Sequence, residues 1–333
     1  LNFCYNWSGD RMKICILGSG AYGSALAVIL NENENNVFLW SPFKKEIETF
    51  KEHREPLKLP GVKLAEDIVI TNDIEEATMD ADFVVLAIPT AFVRGTLKKI
   101  KKYVKNKPIC IASKGIEQDT CAFVNEIISE ELGTNNIAVI SGPSFAIDVA
   151  SRVPVGLTLA CKSKETTDMI YGAFSNSHFK LRICSDIIGT EVCGAIKNVI
   201  AIAAGMLSGM KMPESTSAML ITESVHDIKD LIKGLGGDGD TISSFAGFGD
   251  LLLTATSTKS RNFSFGMLVG SGASKEDIDD YINNTTIEGL YTLTSIKELL
   301  TSINTKMPIV DLLYDIIYGD KMAKDLIKFL IKK

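Results

Sequence analysis

Residues 13–27, Lys-Ile-Cys-Ile-Leu-Gly-Ser-Gly-Ala-Tyr-Gly-Ser-Ala-Leu-Ala, decide how this chain is read. A short apolar run, Lys13 to Leu17, is broken by glycine, and a helical pattern follows from Ala21 to Asn31. A second strand-like run, Asn36 to Trp40, comes next. In that setting the spacing of Gly18, Gly20 and Gly23 has a physical meaning. The first glycine permits a tight turn, the second lets backbone N–H groups approach a pyrophosphate, and the third lets helix pack on strand. The helix N-terminus then supports the phosphate charge. A bare GxGxxG is often only a structural turn. Strand, turn, helix and strand in order favour a dinucleotide site built from Gly18, Ser19, Gly20, Ala21, Tyr22 and Gly23.

Working outward, further Val/Ile/Leu runs lie at 68–71, 82–87, 109–112 and 137–140, with two more strands expected at 155–160 and 179–183. Continuous apolar runs without alternation suit strands covered on both faces of a parallel sheet. From about Ile188 the strand runs stop and helical periodicity takes over. The expected architecture is α/β: an N-terminal Rossmann-like, doubly wound, mostly parallel sheet followed by an all-helical C-terminal domain. The boundaries are an extension at 1–11, a dinucleotide-binding domain at 12–186 and a helical substrate-binding domain at 187–333. Met12 directly precedes the first strand, so residues 1–11 receive no role.

The 333 residues suffice for two cores. A hydrophobic share of 46% and a charged share of 23% argue against disorder, and a net charge of −6 gives no overall field for nucleic acid or acidic lipid. The seven scattered cysteines look like buried thiols in a reducing cytoplasm, and the three isolated histidines offer no metal site. The acidic, glycine-rich stretch Gly234 to Asp240 reads as a turn between helices. No apolar stretch reaches the roughly 18 residues a bilayer span requires, so no membrane insertion is expected.

Coenzyme choice turns on the end of the second strand. Sites for NAD usually carry an acid there for the ribose 2′-hydroxyl. Here Trp40 is followed by Ser41-Pro42-Phe43-Lys44-Lys45, with no acid until Glu46. The reading leans to NADP over NAD, although the lysines could merely solvate a helix start.

Two lysines stand out. Lys114 follows the strand 109–112 at its carboxyl end and precedes a glycine. Lys197 sits in GAIKNVIAIAAG (194–205), a helix apolar nearly all round, where an unpartnered ammonium is costly. Desolvation favours its neutral form and suits proton exchange with a substrate hydroxyl. A structural salt bridge to Glu191, Asp250 or Asp186 is the plainer alternative. Lys259-Ser260-Arg261-Asn262 opens another helix and offers an anion clamp, though such a tetrapeptide is more often a solvated cap.

Together, LGSGAYGSALA (17–27), ASKGIE (112–117), ISGPSFA (140–146), GAIKNVIAIAAG (194–205), GFGDLLLT (247–254), KSRNFSFG (259–266) and IEG (287–289) closely resemble the NAD(P)-dependent sn-glycerol-3-phosphate dehydrogenases of bacterial type. The resemblance implies reversible hydride transfer between NAD(P)H and dihydroxyacetone phosphate, supplying glycerol phosphate for phospholipid synthesis. It makes Lys197 the proton carrier at the substrate C2 oxygen, with Lys114, Asn198, Asp250 and Thr254 around it. It assigns Ser260, Arg261 and Asn262 to the substrate phosphate, and Gly142 and Ser144 to substrate contacts. Ser41, Lys44, Pro89, Lys114, Ala146, Arg261 and Glu288 join the glycine loop in the cofactor set. A homodimer is the assembly it suggests. Two stretches depart from the family pattern. Pro42 stands where many members carry a basic residue, and Ser215, Ser217 and Glu223 replace an Asn, a Lys and an Arg. A longer ketose or polyol phosphate, a hydroxy acid, or a non-catalytic dinucleotide-binding role are the competing readings.

Overall fold

The computed structural model describes residues 11–176 and 178–332, so the extension assigned to 1–11 lies outside it except for Arg11. The chain divides into two compact units. One runs to Ser113 and resumes over Val124–Ile187; the other comprises Lys114–Phe123 and the chain from Ile188 onward. A single boundary near Asp186 therefore misses one crossing. Residues 114–123 join the second unit because Ile116 and Phe123 are buried in its core, a long-range placement that no local periodicity reveals.

The first unit carries eight strands: β1 (Lys13–Leu17), β2 (Asn36–Trp40), β3 (Val69–Thr71), β4 (Phe83–Leu86), β5 (Ile109–Ile111), β6 (Ile137–Ser141), β7 (Val155–Cys161) and β8 (Phe179–Cys184). They form one sheet in the order β3-β2-β1-β4-β5-β6-β7-β8. Every pairing is parallel except β6 with β7, where Ile140 faces Leu159. Its helices are α1 (Ala21–Glu32), α2 (Lys44–His53), α3 (Ile74–Thr78), α4 (Val93–Ile100), α5 (Val124–Leu132), α6 (Ala146–Ala150) and α7 (Lys164–Phe174). Ile14, Cys15, Ile16 and Leu17 are fully buried, as a central parallel strand covered on both faces should be. Strand order reverses between β1 and β4, and the glycine loop leaves β1 at that switch point, where open α/β sheets bind ligands.

The second unit is helical: α8 (Ile187–Gly209), α9 (Glu214–Gly234), α10 (Asp250–Ala255), α11 (Arg261–Ser271), α12 (Lys275–Asn284), α13 (Glu288–Ser302), α14 (Pro308–Tyr318) and α15 (Asp325–Leu330). The expectation that no segment is long and apolar enough for a bilayer needs correction, because α8 has 23 residues and passes that test. Its most apolar window is 94% buried, so its hydrophobicity is spent on packing. Against α11 that packing is backbone to backbone. A Cβ at Gly205 would fall 2.0 Å from the Phe263 carbonyl oxygen, and one at Gly266 would fall 2.1 Å from that of Ile202. Gly209 and Gly270, one turn on in each helix, are equally tight, at 2.2 Å from Met267 O and 2.1 Å from Met206 O.

This contact yields a stability test. Gly266→Ala forces α8 and α11 apart and costs about 1–3 kcal/mol, the usual price of overpacking, read from denaturant unfolding. Gly95→Ala, at a position of α4 where a Cβ meets nothing within 4 Å, is neutral or gains up to about 1 kcal/mol.

Candidate functional site

In the first unit the glycine loop is tied to the end of β2 by Gly18 N–H donating to the Trp40 carbonyl at 3.0 Å. Gly18 has φ +121°, and a Cβ there would lie 2.4 Å from Ala87 O. A Cβ on Gly23 would lie 1.9 Å from Gly18 O, so helix and turn touch. Gly20 is different: a Cβ there would meet nothing within 4 Å. It is also the N-cap of α1 and offers no side chain to the first turn. Open space beside a helix start without a side-chain cap fits a pyrophosphate, so the residues present suit the dinucleotide.

Around this loop the hydroxyls are ordered. Ser24 donates to Ser19 O at 3.1 Å, and the Tyr22 hydroxyl lies 3.0 Å from Ser144 Oγ, which donates to Gly142 O at 3.0 Å. Gly142 is pressed on β7, where a Cβ would fall 2.5 Å from Gly156 O. Ala146 opens the short helix α6, and Pro89 precedes a tight turn at Thr90–Phe92. Lys44 is exposed in the first turn of α2.

The premise that the end of β2 lacks an acid is corrected by Glu46. Its Oε1 accepts from Ser19 Oγ at 2.8 Å, and its Oε2 accepts from Ser41 Oγ at 3.3 Å. Three residues of α2 bring the carboxylate back to the strand end, a return that linear spacing conceals.

In the second unit Asp250 is 2% exposed and lies between two ammonium groups. Lys114 Nζ donates to Oδ2 and Lys197 Nζ to Oδ1, both at 2.6 Å. Lys197 also donates to Thr254 Oγ1 at 3.1 Å, while that hydroxyl donates to the Asp250 carbonyl at 2.6 Å. An ammonium has three N–H bonds; two go to Asp250 and Thr254, and the third has no acceptor among the described residues. Burial lowers the Lys197 amine from its ordinary value to about 8; Asp250 pulls it back up, and Lys114 pushes it further down. Burial pushes the Asp250 carboxyl up, but the two ammoniums outweigh it and hold the group below its usual value. The salt bridge to Asp250, the plainer expectation for Lys197, is present.

A chain of amides joins three helices beside this pair. Gly289 N–H donates to Asn262 Oδ1 at 2.9 Å, Asn262 Nδ2 donates to Asn198 Oδ1 at 2.9 Å, and Asn198 Nδ2 donates to Glu288 Oε2 at 3.3 Å. Glu288 Oε1 lies 3.7 Å from Arg261 Nη2. Asn198 and Asn262 are buried and hold α8, α11 and α13 in register, whereas the Arg261 side chain is 54% exposed. Ser260 is buried and caps α11 by accepting from Phe263 N–H at 3.3 Å. Sequence reasoning gave Gly289 no role, yet a Cβ there would lie 2.8 Å from both Asn198 O and Asn262 Oδ1. Its signal was only the glycine of IEG. Ser215 and Glu223 lie exposed on α9, and Ser217 is half-buried.

Charge balance makes Asp250 the sensitive member. Asp250→Asn removes the carboxylate bonded to buried Lys197 and half-buried Lys114, costs about 3–5 kcal/mol in urea unfolding, and drives the Lys197 amine further below about 8. Methyl-lysine NMR across a pH series follows that amine.

Comparison with known proteins adds the lineage. The N-terminal and C-terminal models described as NAD-dependent glycerol-3-phosphate dehydrogenase match residues 13–167 and 186–328. A protein of Fusobacterium nucleatum named glycerol-3-phosphate dehydrogenase (NAD(P)+) is 36% identical over 324 residues, covering 96% of each chain. One of the same name from a Wolbachia strain is 36% identical over 328 residues, covering 96% of this chain and 100% of its own. The crystal structure of glycerol-3-phosphate dehydrogenase from Coxiella burnetii superposes with a TM-score of 0.91 at 28% identity, covering 97% and 99% of the two chains. With both family models matched and relatives similar across nearly the whole length, this chain belongs to the NAD-dependent glycerol-3-phosphate dehydrogenase family.

Proposed function

We propose that Lys197 carries the proton, and Arg261 holds the phosphate, in the reaction of this family: reversible reduction of dihydroxyacetone phosphate by NAD(P)H to sn-glycerol 3-phosphate. The chain is an NAD(P)-dependent oxidoreductase acting on a small phosphorylated substrate. The bound nicotinamide supplies or accepts the hydride at substrate C2; the remaining work falls to side chains. One observation carries the assignment. Lys197 is a buried amine lowered to about 8, clamped by Asp250 and Thr254, with one N–H uncommitted.

That N–H is available to the substrate C2 oxygen. During reduction the ammonium gives up its proton as the carbonyl becomes an alcohol, and during oxidation the neutral amine takes it back. Asp250 fixes the direction of the amine, and Lys114 keeps its proton labile through like charge. Arg261 stands at the start of α11 with an exposed guanidinium, whose planar fork suits phosphate oxygens. Binding energy gained at that remote phosphate would hold C2 in reacting position. Among the described residues no two cysteines are joined in a disulfide, which supports a reducing, cytoplasmic setting within the same proposal.

The pH dependence has a definite sign. Reduction needs the ammonium, so its kcat falls as pH rises through the region of about 8; oxidation needs the amine, so its kcat climbs there. Lys197→Met lowers both by about 10²–10⁴-fold and removes the inflection, while coenzyme affinity, measured by NAD(P)H fluorescence titration, hardly moves. Unchanged turnover in Lys197→Met would sink the assignment. Arg261→Ala instead raises KM for dihydroxyacetone phosphate about 10–100-fold, the worth of a lost charge-assisted hydrogen bond, and changes kcat less.

A further inference from the structure

We infer that Glu46 makes this chain select NAD(H) over NADP(H). The inference rests on the dehydrogenase reading and adds a specificity-determining residue to it. Glu46 lies in the first turn of α2, yet its carboxylate is bonded both to Ser19, inside the glycine loop, and to Ser41, the residue after β2. Ser19 and Ser41 are 4% and 1% exposed, so this is a built position and not a loose surface contact. Phe43 N–H donates to Ser41 Oγ at 3.4 Å, which leaves the Ser41 hydrogen directed at Glu46.

The place matters because the end of the second strand is where a dinucleotide's adenosine ribose meets the protein. A carboxylate has about four lone-pair sites. The two serines occupy two of them, and the rest can accept from the ribose 2′- and 3′-hydroxyls. A 2′-phosphate at the same point brings close to two negative charges against a carboxylate that two serine hydroxyls hold in place. Lys44 and Lys45 offer opposite charge, but both are exposed, and solvated lysines contribute little. The near carboxylate outweighs them, so Glu46 supplies the acid whose absence after Trp40 suggested NADP.

Isothermal titration of the whole protein with ADP-ribose and with its 2′-phosphate tests this without catalysis, and kcat/KM for NADH and NADPH is measured beside it. The wild-type chain binds ADP-ribose at least about tenfold more tightly than the 2′-phosphate, the scale of one close like-charge contact. The near-isosteric Glu46→Gln shrinks that ratio to within about threefold, chiefly by strengthening the 2′-phosphate complex. The kcat/KM ratio shifts the same way. Wild-type protein that binds the 2′-phosphate as well or better, or a ratio unmoved in Glu46→Gln, overturns the inference. So does Lys44→Ala/Lys45→Ala, should it weaken the 2′-phosphate complex tenfold while leaving ADP-ribose binding intact. Tight ADP-ribose selectivity with no turnover on either coenzyme would support Glu46 and refute the dehydrogenase reading, so the two failures are distinguishable.

Discussion

Two ammonium groups share one buried carboxylate, and the chemistry of the second unit follows from that imbalance. Asp250 can neutralise only one of Lys114 and Lys197. Burial disfavours the charged form of Lys197, and Lys114 beside it pushes the same way. Lys197 is the more enclosed of the two, with a side chain 11% exposed against 17% for Lys114. The cost of desolvation therefore appears as a labile proton and not only as lost stability. A merely structural pair would need one lysine, and the second is what separates this arrangement from an ordinary salt bridge.

Such a trio is useful only if its geometry is held, and the helices around it are held by unusually short contacts. Gly205 and Gly209 on α8 meet Gly266 and Gly270 on α11 with no room for a Cβ between backbones. Lys197 and Asn198 are on α8, and Arg261 and Asn262 open α11, so the glycine seam sets the spacing of the two helices that carry them. Gly289 wedges α13 against both and passes the register on through Asn262 and Asn198. These buried amides, which the family resemblance would hand to the ligand, are engaged in joining helices. Rigid support of this kind keeps side chains within the fraction of an ångström that catalysis demands.

How much of this the linear chain reveals depends on whether the cause is local. All eight strands stand close to where their Val/Ile/Leu runs place them, because burial on both faces of a parallel sheet writes itself into consecutive residues. Lys197 was conspicuous for the same reason, as a charge among Ala, Ile and Val. Three features had nonlocal causes. Residues 114–123 belong to the second unit through the burial of Ile116 and Phe123. Helix α8 has the composition of a membrane span, and only the elements packed on it show that its apolar surface is used up. Glu46 is five residues beyond the place where an acid is sought after the second strand, and the first turn of α2 brings it back.

The two constellations also divide the work cleanly. Glu46, Ser19 and Ser41 all lie in the first unit, while Lys114, Lys197, Asp250 and Thr254 all lie in the second. The bonds from Ser19 and Ser41 to Glu46 involve no residue of the second group, and those from Lys114 and Lys197 to Asp250 and Thr254 none of the first. On the proposed roles, coenzyme choice depends on charge beside a ribose, and proton transfer on charge balance around Asp250. Each device uses a carboxylate fixed by donors on both of its oxygens, yet to opposite ends. With those proposed roles, the negative charge of the first unit repels a 2′-phosphate, and that of the second holds an amine whose proton is labile.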